Sequence, residues 1–212
     1  MAGSLSAIVL AGGASRRLGL DKAQLTFGGR PLLHIIIDRL SPVCDEVIVA
    51  GGRRRDLDDP HAPGRVVYDA VPGQGPLAGI EAGLRAASSA FALVVACDMP
   101  FLNPALLSYM ADLPRDYEVL VPVAAGGRHP LHAIYARACL PAIELLLARG
   151  ENRADELRNL VRTRVVSDDD LRRHDPEGMS LFNLNEPADL SYARARWEAL
   201  ERGAAEAARA GR

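Results

Sequence analysis

The sequence predicts an α/β fold, a three-layer sandwich with a mostly parallel, Rossmann-like sheet. Three observations predict it. Short apolar runs alternate along the chain with helical patterns, prolines stand at the starts of those patterns, and glycines follow several of the apolar runs. In such folds ligands lie beyond the carboxyl ends of the strands.

Taken in order, the first apolar run is a strand at Ala7–Leu10, followed by the glycine-rich stretch Leu10-Ala11-Gly12-Gly13. Pro31 to Leu40 reads as a helix with Pro31 in its first turn and Leu32, Leu33, Ile36 and Leu40 on one face. Strands are expected at Glu46–Ala50 and Arg65–Tyr68, then a helix at Pro76–Ala87 entered through a glycine turn. Strands at Phe91–Ala96, Glu118–Pro122 and near Leu131–Tyr135 complete the sheet, with helices at Pro104–Met110 and Pro141–Arg149. From Tyr192 to Arg212 alanine, arginine and glutamate dominate, which reads as a surface helix fraying at its end. The expected organisation is one domain over residues 1–190 and a C-terminal surface helix and tail over 191–212.

Composition narrows the function. The chain has 212 residues, 49% hydrophobic and 25% charged, with a net charge of −2, so it carries no global basic field for nucleic acid or an acidic membrane. No apolar run approaches the roughly 20 residues of a membrane span, and the first residues lack the pattern of a signal peptide. Cys44, Cys97 and Cys139 are odd in number, far apart and set among apolar residues, as buried free thiols of a cytoplasmic protein would be. Arg53-Arg54-Arg55, offset by Asp56, Asp58 and Asp59, reads as a solvated loop, and Asp168-Asp169-Asp170 as a polar turn.

The stretch from Leu10 to Lys22 carries the most chemistry. Adjacent glycines just past a strand let backbone N–H groups approach a ligand closely and form an anion-binding concavity. Arg16, Arg17 and Lys22 supply positive charge beside it. The Walker pattern is absent, since Gly19 is followed by Leu20-Asp21-Lys22-Ala23, and G-x-G-x-x-G fails because Gly12 and Gly13 are adjacent. Further on, four apolar residues run into Cys97-Asp98-Met99-Pro100, which fixes a carboxylate at a strand's carboxyl edge, a placement that suits a metal ligand. Asp69 ends Val66-Val67-Tyr68 in the same way.

The pattern L-A-G-G-x-S-x-R-L-G-x-D-K resembles the signature of nucleotidyltransferases that activate small molecules with a nucleoside triphosphate, and among them the molybdenum cofactor guanylyltransferases most. The resemblance spans roughly Ala7 to Leu190 and implies a Rossmann-like nucleotidyltransferase fold. It implies a transfer of GMP from GTP to the terminal phosphate of molybdopterin, with Mg²⁺ required and pyrophosphate released. It assigns Lys22 and Asp98 to catalysis and Mg²⁺ to Asp98, and Arg17, in the middle of the loop, joins Lys22 as a catalytic cation. Leu10, Ala11, Gly12, Gly13, Lys22, Asp69, Gly75, Pro76, Leu77 and Asp98 would bind the nucleotide. Arg128 and His129, on a loop entering a strand, and Asn183 and Asn185, in an ending like the family's N-x-N-x-P-x-D-L, fit the acceptor side more weakly. GTP and molybdopterin are the implied partners, with apo-molybdoenzymes or their chaperones as candidate receivers.

Two details bear on the choice of base. Gly12 favours a bulky purine, because cytidylyl relatives commonly carry alanine at that place. Where many relatives have an asparagine after Val47-Ile48-Val49, this chain has Ala50-Gly51-Gly52, so no side-chain hydrogen bond is available there. A cytidylyltransferase for the same cofactor, another small-molecule phosphate nucleotidyltransferase, and a non-catalytic nucleotide-binding carrier are the alternatives.

Overall fold

Ser6–Leu10 (β1) is buried along its whole length. A strand covered on both faces must be apolar at successive positions. Ala7 and Val9 enter one core, while Ile8 and Leu10 enter the other. The computed structural model describes residues 3–11, 25–51, 64–68, 74–124 and 127–210. After β1 come a short hairpin of β2 (Thr26–Phe27) and β3 (Arg30–Pro31), helix α1 (Leu32–Leu40), β4 (Glu46–Ala50) and β5 (Arg65–Val67). Helix α2 (Pro76–Ala86), β6 (Phe91–Ala96), α3 (Pro104–Asp112), β7 (Val119–Ala124), β8 (Gly127–Arg128) and β9 (His132–Ala136) follow. The chain closes with α4 (Leu140–Ala148), β10 (Thr163–Val166), α5 (Asp168–His174) and α6 (Pro187–Ala210).

The strands pair in the order β10-β7-β9-β6-β1-β4-β5, with β8 beside β7. β1 is parallel to β4 and β6, β4 to β5, and β7 to β10. β9 runs antiparallel to both β6 and β7, so its beginning meets the ends of its neighbours. One face of the sheet packs under α1, α3, α5 and the start of α6, through Ile36, Leu40, Leu106, Met110, Leu171, Leu190 and Ala193. The other packs under α2 and α4, through Leu77, Ile80, Leu84, Ile143 and Leu146. The predicted three-layer sandwich is the observed one.

Proline sets the entry of several helices: Pro76 and Pro104 stand at the first positions of α2 and α3, where a missing N–H costs nothing. Pro31 lies one residue outside α1, as its N-cap. Asp168-Asp169-Asp170 corrects the polar turn expected there. Ser167 accepts the Asp170 N–H at 3.2 Å, and the acids form the first turn of α5. Arg172, Arg173 and His174 occupy its last turn. Carboxylates at the N-terminus and cations at the C-terminus both favour the helix dipole, which turns a charge run into a helix. Helix α6 begins at Pro187, ahead of the compositional change at Tyr192, and Trp197 lays its ring 5.5 Å from Phe27. Among the described residues no helix is long and apolar enough to cross a membrane.

Candidate active site

The carboxyl edge of the sheet is built by a series of backbone hydrogen bonds that continue past the strands. Gly51 N–H donates to the Val67 carbonyl (3.2 Å), Ala11 N–H to Ala50 (2.9 Å), Cys97 N–H to Leu10 (3.0 Å) and Ala96 N–H to Leu131 (3.1 Å). These bonds lock the ends of β5, β4, β1, β6 and the approach to β9 into one continuous rim. Asp98 follows directly on the Cys97 tie and is buried, at 9% exposure. Its backbone carbonyl accepts the Leu184 N–H at 3.0 Å, which brings the Asn183-Leu184-Asn185 segment alongside it. Four of the predicted site residues, Leu10, Ala11, Asp98 and Asn183, therefore share this rim.

Leu10 contributes its backbone position only. Its side chain packs with Ile8, Ile48, Ala50 and Leu77 in the core under α2. Ala50 is fully buried in the same cluster, so this position is part of the hydrophobic layer. Gly75 is the N-cap of α2 with φ +74°, a left-handed conformation that favours glycine. A Cβ there would stand 3.1 Å from the Cβ of Asn152. Pro76 is exposed, whereas Leu77 is fully buried and its N–H donates to the Asn152 carbonyl at 3.4 Å. Asn152 thus braces the start of α2. Its place on a loop far along the chain gave no signal in the sequence.

On the opposite side of β6, Arg128 lies exposed on β8, paired with Val123. His129 is half-buried, and its N–H donates to the Pro122 carbonyl at 3.0 Å. Burial lowers the pKa of its imidazole, partly offset by a hydrogen bond with the backbone of Ala124. Asn183 turns its amide onto the Leu181 carbonyl (2.9 Å), and Asn185 is exposed. The side chain of Asp189 accepts the N–H groups of Asn185 (2.9 Å) and Glu186 (2.8 Å), which fixes the turn into α6. Gly12, Gly13, Arg17, Lys22 and Asp69 lie outside the described residues, as do Arg53, Arg54 and Arg55.

None of the three cysteines is in a disulfide; Cys44 and Cys139 are buried and Cys97 is half-buried. Burial pushes the Cys44 and Cys139 thiols up to about 12, so they are inert packing groups and not nucleophiles.

A doubly wound sheet whose carboxyl rim holds a buried aspartate, a glycine-capped helix start and a basic strand entry defines a nucleotide-handling α/β protein. Residues 7–169 match the family model described as the MobA-like NTP transferase domain, and the chain belongs to that family. It is 40% identical over 187 residues, covering 88% of this chain and 90% of the relative, to a Pelotomaculum thermopropionicum protein named "Probable molybdenum cofactor guanylyltransferase". A Chloroflexus aggregans protein of the same name is 36% identical over 201 residues, covering 90% and 94% of the two chains. Among solved structures, molybdopterin-guanine dinucleotide biosynthesis protein A from Archaeoglobus fulgidus superposes with a TM-score of 0.78 at 26% identity, covering 90% of this chain and 97% of that one.

Proposed function

We propose that this chain transfers GMP from GTP to the terminal phosphate of molybdopterin, or of its molybdenum form, giving the guanine dinucleotide cofactor and pyrophosphate. One observation carries the reading: Asp98 stands buried at the end of β6, with the β1 end on one side and the Leu184 segment on the other. A carboxylate there lies between a nucleotide held over β1 and an acceptor held over β9.

The chemistry needs little base. A phosphate monoester has a second pKa of about 6, so near neutral pH its oxygen is already an anion. That oxygen forms a bond to the α-phosphorus of GTP as the bond from the α-phosphorus to the bridging oxygen breaks, and the electron pair leaves with pyrophosphate. The protein's task is to bring anions together and to neutralise charge on the leaving group. In this reading Lys22 and Arg17 supply that charge and Gly12 and Gly13 bring backbone N–H groups to the phosphates. Asp69 holds the nucleoside, with Gly75 and Pro76 lining its pocket. Arg128, His129, Asn183 and Asn185 receive the acceptor.

Among the described residues no group of three or more His, Cys, Asp or Glu could hold a metal unaided. A hard carboxylate from Asp98 completed by substrate phosphates is a donor set that fits Mg²⁺. The ion would polarise the phosphoryl oxygens. Cysteines outside any disulfide fit a reducing cytoplasm.

Melting temperature with Mg²⁺ and each of GTP, CTP, ATP and UTP at equal concentration tests the nucleotide assignment. A ligand that binds only the folded state stabilises it by about 2.7 kcal/mol at 100 times its Kd. A rise confined to GTP is expected. A rise confined to CTP would replace this reading with the cytidylyl one.

A further inference from the structure

The acceptor side of the rim hangs on a buried polar hub that the transfer chemistry does not itself use. Ser180 and His132 are both fully buried. Ser180 Oγ accepts the Asn103 N–H at 3.0 Å and shares a hydrogen bond of 2.9 Å with His132 Nε2. Ser180 N–H donates to Asp175 Oδ2 at 2.7 Å, and Asn103 Nδ2 donates to the His174 carbonyl at 3.0 Å. One hydroxyl therefore ties the His132 strand entry to the Asn103 and Ser180 segments, which are also joined to each other by the Leu184–Asp98 backbone bond.

Each of those segments leads to a group on the rim. Asn103 closes the loop that starts at Asp98. His132 opens β9, and its N–H donates to the carbonyl of His129 at 3.0 Å. Ser180 precedes Leu184, whose N–H holds the Asp98 carbonyl. In the strand order, β9 and β7 lie on one side of β6 and β1, β4 and β5 on the other. The hub thus lies on the β9 side of β6, whereas the start of α2 is attached elsewhere, through Asn152.

We infer that Ser180 and His132 are positioning residues that hold His129, the Asn183–Asn185 segment and the Asp98 loop in register for the acceptor phosphate. The inference rests on the proposed guanylyl transfer. Burying a hydroxyl, an imidazole Nε2 and a backbone N–H is tolerated because they satisfy one another, while His132 Nδ1 is buried without a hydrogen-bond partner among the described residues. Removing one partner leaves the others unpaired and frees the segments to shift.

The test compares Ser180→Ala, His132→Leu and His132→Gln, each assayed well below its own melting temperature. Gln offers both a donor and an acceptor toward Ser180. Loss of groups that orient a ligand set typically costs about 10- to 100-fold in activity. A fall of that size in kcat/KM for molybdopterin is expected for Ser180→Ala and His132→Leu, with GTP affinity unchanged and His132→Gln largely restored. A second readout needs no turnover: amide exchange at Leu184 should accelerate in Ser180→Ala. Unchanged exchange at Leu184, unchanged acceptor kcat/KM, or an equal loss of GTP affinity would each overturn the inference. If the wild-type protein forms no product while Leu184 exchange still responds, the transfer reading fails and the hub stands.

Discussion

The two sides of the rim are made differently. On the side proposed for the nucleotide, what the described residues offer is backbone: Leu10 and Leu77 are core residues, Ala11 is tied to Ala50, and Gly75 is valuable for the Cβ it lacks. On the side proposed for the acceptor, polar side chains from distant segments meet through the Ser180–His132 hub. A backbone-lined site requires particular residues at fixed spacing. A side-chain hub requires only that partners arrive at the same place after folding.

Asp98 sits on the seam between the two sides, so changing it should have the largest effect. Asp98→Asn keeps the volume and the backbone bond to Leu184 but weakens the carboxylate proposed to hold Mg²⁺. Electrostatic stabilisation by a bound ion is worth several kcal/mol, so turnover is expected to fall by roughly a thousandfold or more. GTP-independent stability should barely change. Retained Mg²⁺-dependent turnover would remove Asp98 from the chemistry.

The next effect comes from the hub and appears as a pH dependence of stability. Burial lowers the His132 pKa from 6.5 to about 4, so the folded protein keeps this imidazole neutral. Between those values the unfolded chain binds a proton that the folded one refuses, so stability falls as pH drops from about 6.5 toward 4. The contribution is fully present above that window. It amounts to about 3 kcal/mol, taking roughly 1.4 kcal/mol per pKa unit. Urea unfolding at pH 7 and pH 4.5 should show a smaller loss for His132→Gln than for the wild type. Equal losses would mean that the imidazole is more accessible than its burial indicates.

A smaller effect separates the nucleotide side. Helix α2 presses on β1 at Gly83, where a Cβ would stand 2.6 Å from Ile8 Cγ2. Both positions are buried, so Gly83→Ala must push α2 outward. Overpacking of this kind costs about 1–3 kcal/mol. The start of α2 carries Gly75, so GTP should bind more weakly in proportion, whereas the acceptor KM should not move. A change in the acceptor KM alone would show that the two sides are not held independently.

Much of this architecture was legible in the sequence. The apolar runs of β1, β4 and β6 stand out because strands buried on both faces are apolar at successive positions, broken here only by Ser6 and Glu46, which hydrogen-bond to each other. Proline marked the starts of α2 and α3. β10 escaped notice because it is a short edge strand with Val165 turned to solvent. Helix α5 was hidden by its charge: three acids look like a turn until Ser167 caps them. Asp98 was legible because the strand before it and the proline after it fix where it must emerge. Ser180, Asn152 and Asp175 were not, since each takes its role from contacts across the fold and no local pattern announces them.

Product formation by the wild-type protein separates a guanylyltransferase from a nucleotide carrier. With purified molybdopterin, Mg²⁺ and GTP, one pyrophosphate is expected for each acceptor that gains the mass of a GMP residue, and none with CTP in place of GTP. Tight GTP binding without pyrophosphate release in the presence of acceptor would contradict the guanylyltransferase reading and leave a nucleotide-binding carrier in place of an enzyme.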